Sequence, residues 1–196
     1  MEGSRRMDTR RLTGSALLTA LVVILQLLGS FIRFGVFSIS LVNIPIVVGA
    51  VLYGKETGAW LGLVFGVTVL LSGDASVFMA VSIFGTLLVV LLKGTAAGYL
   101  AGAVCERLTP RHELLGSMAA ALLCPIVNTG IFLLGCLVFF MPTIRMWAEG
   151  LGMGDRVGVY MLTGFVGVNF LLELGSVVVL GPVILRIIRL GKGEQA

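Results

Sequence analysis

The stretch Ser82–Arg107, SIFGTLLVVLLKGTAAGYLAGAVCER, is long and apolar enough to cross a bilayer, and it carries one cation, Lys93, inside the run. A lysine deep in a transmembrane helix costs roughly 2.5–3.5 kcal/mol on insertion scales, so it turns toward a partner or a wet cavity rather than toward lipid. Directly after it, Gly94, Gly98 and Gly102 recur every fourth residue, with Ala97 and Ala101 between them. That spacing makes one smooth helical stripe, against which a neighbouring helix can come backbone-close. The segment is therefore expected inside a bundle, with its charge facing inward.

The rest of the chain supplies the bundle. Of 196 residues, 58% are hydrophobic and only 12% are charged, and the mean hydropathy is +1.08, which identifies an integral membrane protein. The length suits a single domain, residues 1–196, of about six transmembrane helices with short connections. The expected class is an all-α membrane bundle. The net charge of +4 is a topological bias and not a nucleic-acid footprint. No Walker A loop, no Ser/His/Asp set and no His-Glu-x-x-His motif occurs, and the lone His112 lies in a basic turn. An enzyme is not expected, nor is a cofactor or a metal. Cys105, Cys124 and Cys136 fall in apolar segments without metal-ligand spacing and read as buried free thiols.

In chain order, Leu12–Gly29 is the first span, preceded by Arg5, Arg6, Arg10 and Arg11 and read as a retained helix, since no cleavage-like site follows it. It carries Ala16 and Ala20 one turn apart, and Gln26 nearer its far end. Ser30–Ser40 is too apolar for an exposed loop and contains Arg33, so a re-entrant-like first connection is expected. Leu41–Tyr53 and Thr57–Leu71 are short spans joined by a tight turn at Gly54-Lys55-Glu56, and Gly58, Gly62 and Gly66 form a second glycine stripe. Leu71–Ser76 is a turn with Asp74, and Val77–Val81 leads irregularly into the lysine helix. Leu114–Phe140 is the fifth span, interrupted by Pro125 and the polar pair Asn128-Thr129. Met141–Arg156 reads as the longest polar connection. Val157–Leu190 is the last span, holding Asn169 and Glu173.

Basic residues set the expected orientation. With six spans, most arginines and lysines collect on one side if both termini are cytoplasmic, as in a multi-pass protein of the cell membrane. Measured from that basic floor at about 1.5 Å per residue, Lys93 stands roughly 21 Å up, Glu173 roughly 20 Å, Gln26 roughly 22 Å, Asn43 roughly 18 Å, and Asn128 and Asn169 roughly 25 Å. Polar residues of five helices thus share a level. One explanation is internal: Lys93 pairs with Glu173, and the amides act as interhelical glue worth about 0.6–2 kcal/mol each. The other is a polar pocket open to the outside, in which Lys93 meets an anionic or strongly polar solute.

The whole layout resembles the substrate-binding S components of energy-coupling factor (ECF) vitamin transporters. The resemblance is sharpest at Ala16-Leu17-Leu18-Thr19-Ala20, at Leu41–Ala50 (LVNIPIVVGA) and at Cys124–Gly130 (CPIVNTG). It implies that Ala16 and Ala20 dock on a transmembrane coupling subunit, which works with two ATPase subunits. It also implies that the chain captures a vitamin from outside beneath its connections and topples in the membrane to release it. The runs around Asn43-Ile44-Pro45 and Asn128-Thr129 look most like the pantothenate-type branch. In the pocket reading Lys93, Asn128, Asn43, Asn169, Glu173, Gln26 and Arg33 are the expected solute-binding set, with riboflavin and folate as other solutes that fit the resemblance. The rival from another class is a membrane scaffold of the cell-shape type, in which the polar layer only fixes helix packing.

Overall fold

The computed structural model describes residues 2–31, 33–34, 37–38, 41–110, 112–167, 170–171 and 173–175. Helix α1 (Glu2–Ser30) is followed by a two-residue hairpin, β1 (Arg33–Phe34) and β2 (Phe37–Ser38), paired antiparallel with Arg33 opposite Ser38 and Phe34 opposite Phe37. The first connection therefore doubles back on itself. Helices α2 (Asn43–Tyr53), α3 (Lys55–Leu71), the single turn α4 (Ser76–Met79), α5 (Ile83–Leu108) and α6 (Glu113–Gly135) follow. A π-helical turn, Cys136–Phe140, joins α6 to α7 (Met141–Gly150), and a 3-10 turn at Gly154–Arg156 precedes α8 (Val157–Tyr160). Among the described residues three helical stretches are long and apolar enough to span a membrane: Arg11–Ser30, Ile83–Leu108 and Leu114–Gly150. The molecule is an all-α membrane protein, as its composition requires.

Local chemistry sets the boundaries. Gly54 alone makes the turn between α2 and α3, with φ at 93°, a conformation that costs glycine little and other residues more. Lys55 already belongs to α3: its backbone N–H donates to Glu106 Oε1 at 3.1 Å, and its ammonium meets Glu106 Oε2 at 3.1 Å. A carboxylate from α5 thus satisfies an orphan donor at the α3 N-terminus, where the helix dipole also favours negative charge. Ser82 caps α5 by accepting from the Gly85 N–H at 3.2 Å. Pro45 sits in the first turn of α2, where its missing N–H has no intrahelical partner to lose. Pro125 lies inside α6, which continues through it.

The two glycine stripes turn out to face each other. A Cβ on Gly62 would collide with the Gly94 carbonyl, and one on Gly94 with the Gly62 carbonyl. Gly58 and Gly98 stand in the same reciprocal relation, and Gly102 lies against the Lys55 backbone. Helices α3 and α5 are therefore joined through bare backbone. The main core fills around this seam with Val22, Ile46, Leu61, Phe65, Ala97 and Cys124, drawn from α1, α2, α3, α5 and α6. A second core of Phe78, Cys136, Phe140, Ile144 and Met161 lies around the π turn and α7.

Two segments differ from expectation. Met141–Arg156 is mostly helix: Ile144 and Ala148, one turn apart, are buried, while Arg145, Met146 and Glu149 are exposed. Its polar residues occupy one face of an amphipathic helix, a pattern that composition alone mistakes for a loop. Val77–Val81 is irregular only in part, because Ser76–Met79 closes one helical turn and buries Phe78. The cysteines are as expected, since Cys105, Cys124 and Cys136 are free and buried.

Candidate functional site

Lys93 lies on the buried side of α5, among Val89, Val90, Gly94 and Ala97, and remains partly accessible itself. The close α3–α5 seam carries Phe65 with it: the Phe65 ring edge lies 3.2 Å from where a Gly94 Cβ would stand. The Lys93 ammonium sits 5.5 Å from the centroid of Phe65 and 5.3 Å from that of Phe132, on α6. Both distances are within reach of a cation–π attraction. Among the described residues no carboxylate forms an ion pair with Lys93, although Glu173 and Asp74 are near enough to act on its charge.

One face of α6 carries the next residues. Cys124, Asn128, Phe132 and Cys136 follow at intervals of one turn, so they share a face. Phe132 covers Lys93, and its edge packs on Phe78 with centroids 5.6 Å apart at 89°. A turn away, Asn128 is 5% exposed, and its Oδ1 is buried with no hydrogen-bond partner among the described residues. A buried acceptor left unmet costs about 1–3 kcal/mol, which makes this atom conspicuous in a packed bundle. A further turn along, the Cys124 thiol donates weakly to Asn43 Oδ1 at 3.8 Å, and Asn43 Nδ2 donates to Glu173 Oε2 at 2.9 Å. Asn43 and Glu173 are both buried.

Gln26, also buried, donates from Nε2 to Asp74 Oδ2 at 2.7 Å, tying α1 to the turn after α3. Of the expected site residues, Asn43 and Glu173 are therefore hydrogen-bonded to each other, while Lys93 lies beside Phe132, one turn of α6 from Asn128. Gln26 is oriented by Asp74 instead. Arg33 opens β1, but its side chain is outside the described part, and Asn169 lies outside the described residues. Ala16 and Ala20 are exposed on α1. A groove of about 460 Å³ between α1 and α3, lined by Val23, Leu27, Trp60, Val64, Val67 and Leu71, contains none of the polar layer.

Phe65, Phe132 and Asp74 were not singled out by sequence. Phe132 had a usable signal, standing four residues from Asn128 and hence on its face. Phe65 had a weaker one, three residues beyond Gly62 on the glycine-striped helix. Asp74 had only its place in the turn above the same helix.

Arranged in this way, the residues present one positive charge and one unmet neutral acceptor among apolar side chains. The family model described as ECF transporter, substrate-specific component, matches residues 10–185, nearly the whole chain. No curated protein and no solved structure matches it.

Proposed function

The chain belongs to the substrate-specific components of ECF transporters, and from that premise we propose that it captures pantothenate, or a small vitamin with the same groups, from outside the cell. The role is that of a transporter component and not of an enzyme. The observation that supports the substrate reading is Lys93, whose ammonium lies beside the Phe65 and Phe132 rings, Phe132 standing one turn of α6 from the unmet acceptor of Asn128. A cation buried in a bundle without a direct ion pair favours an anionic guest. Pantothenate offers one carboxylate, an amide N–H and hydroxyls.

In this reading the chain forms one membrane domain with both termini cytoplasmic, and Ala16 and Ala20 dock on the coupling subunit that joins it to two ATPases. Their exposure on α1 supports that, because small side chains let a second helix approach closely. Isothermal titration of the purified full chain with pantothenate tests the substrate, alongside native mass spectrometry of gently extracted protein. Bound pantothenate that is lost in Lys93→Ala is expected. Riboflavin or folate retained in its place would reassign the solute. Ala20→Leu is expected to abolish co-purification of the coupling module while leaving pantothenate binding intact, and equal loss of both would remove the docking role.

A further inference from the structure

The polar layer contains two carboxylates and one ammonium, and the contacts at each include an uncharged group. Gln26 donates to Asp74 at 2.7 Å, Asn43 donates to Glu173 at 2.9 Å, and Phe65 and Phe132 flank Lys93 at 5.5 and 5.3 Å. The difference matters for the lysine. A carboxylate against the ammonium would cancel its charge, whereas an aromatic quadrupole attracts the cation and leaves its full charge to act on a third party. The rings are themselves fixed. Phe65 is pressed to α5 by the Gly62–Gly94 contact, and Phe132 packs edge-on against Phe78.

The α6 face then sets an order along the site. Asn128 stands one turn from Phe132, about 6 Å along the helix axis, and Cys124 stands one turn further, beside Asn43 and through it Glu173. We infer that Phe65 and Phe132 are positioning residues that hold Lys93 un-neutralised for a solute with a single anionic group, whose hydroxyl or amide N–H meets Asn128 Oδ1 about one helical turn away. A second anionic group at the far end would approach Glu173 and be repelled, so dianions are disfavoured. This rests on the transport reading above and sharpens it: it names the charge, the spacing and the direction in which the solute lies. In pantothenate two methylenes separate the carboxylate from the amide nitrogen, with a hydroxyl beyond, which suits that interval.

The test is titration of the full chain in detergent with pantothenate and with its neutral alcohol, pantothenol. Phe132→Leu and Phe65→Leu, which keep apolar volume but remove the ring, are expected to weaken pantothenate about 3- to 10-fold while changing pantothenol less than about twofold. Phe132→Tyr, which keeps the ring, is expected to retain wild-type affinity for pantothenate. Equal loss of both ligands in the leucine variants would mean that the rings only pack, and an unchanged pantothenate affinity would mean that they do nothing; either overturns the proposal. If the wild type ignores pantothenate but binds biotin, nicotinate or lipoate, the vitamin assignment falls and the same variants are read with that monocarboxylate. Failure to bind any of these monoanions overturns the bracket as well.

Discussion

The two halves of α5 meet their neighbours in opposite ways. From Gly94 to Gly102 the helix touches α3 through its backbone, Gly94 and Gly98 each against a glycine carbonyl of α3 and Gly102 against the start of α3 at Lys55. From Lys93 toward Ser82, Gly66 still lies against the backbone of Val90 and Leu91, but rings join the contacts: Phe65 and Phe132 over Lys93, and Phe139 against Gly85. The first arrangement leaves no side chain to rearrange and makes a fixed seam. The second sets aromatic rings around the ammonium, which attract it without cancelling its charge. The comparison teaches that the seam is what places the site, since Phe65 reaches Lys93 only because Gly62 and Gly94 let α3 come so near.

The largest effect that would break this division is a side chain in the seam. Gly94→Leu or Gly62→Leu should leave no monodisperse protein in size-exclusion chromatography, and even Gly94→Ala should cost about 2–3 kcal/mol in unfolding, because backbone and not a flexible side chain stands in the way. By contrast Gly130 has open space around its Cβ position, so Gly130→Ala should be tolerated and can gain up to about 1 kcal/mol from helix propensity.

Next in size is the site itself. Lys93→Ala should weaken pantothenate binding by about 2–3 kcal/mol in titration, with Lys93→Arg restoring part of it. The melting temperature should move little, since no carboxylate depends on Lys93 for an ion pair among the described residues. A collapse of stability instead would show that the two halves are not separable. Smaller again, Asn128→Leu should lower affinity by about 1–1.5 kcal/mol while leaving the fold as stable or more so, because a buried unmet acceptor disappears.

The smallest effect belongs to the far end of α5. Glu106→Gln should shift the melting temperature slightly and leave solute binding unchanged, because the Lys55–Glu106 pair is substantially exposed. The hydrogen bond and charge of Glu106 raise the Lys55 pKa above the usual lysine value of 10.5. That contribution is complete below 10.5 and fades only as pH climbs through the raised value, so thermal scans between about pH 6 and 9 should show no titration from this lysine.

Much of this was legible in advance, and the limits have physical causes. The stripes Gly58-Gly62-Gly66 and Gly94-Gly98-Gly102 announce close contact, but not that each is the other's partner, because a smooth stripe accepts any smooth stripe. Height along a helix placed Asn43 and Glu173 at one level, whereas their hydrogen bond depends on rotation about the helix axes, which rise per residue leaves open. Phe65 and Phe132 escaped notice because a phenylalanine in an apolar span resembles the many that face lipid. Met141–Gly150 escaped as a helix because its charges mask the Ile144–Ala148 spacing.

The helical stretch Leu114–Gly150, which includes the π turn at Cys136–Phe140, has 37 residues. At the usual rise it measures about 55 Å, against a hydrocarbon layer of about 30 Å. Phe132 comes about 27 Å along it from Leu114, so the ring that covers Lys93 lies close to where the oily slab gives way to headgroups if the rod begins at the opposite face. Ionised nitrogen is tolerated far better at that boundary than at the bilayer centre, and a visitor from water has only a shallow descent to make before meeting it.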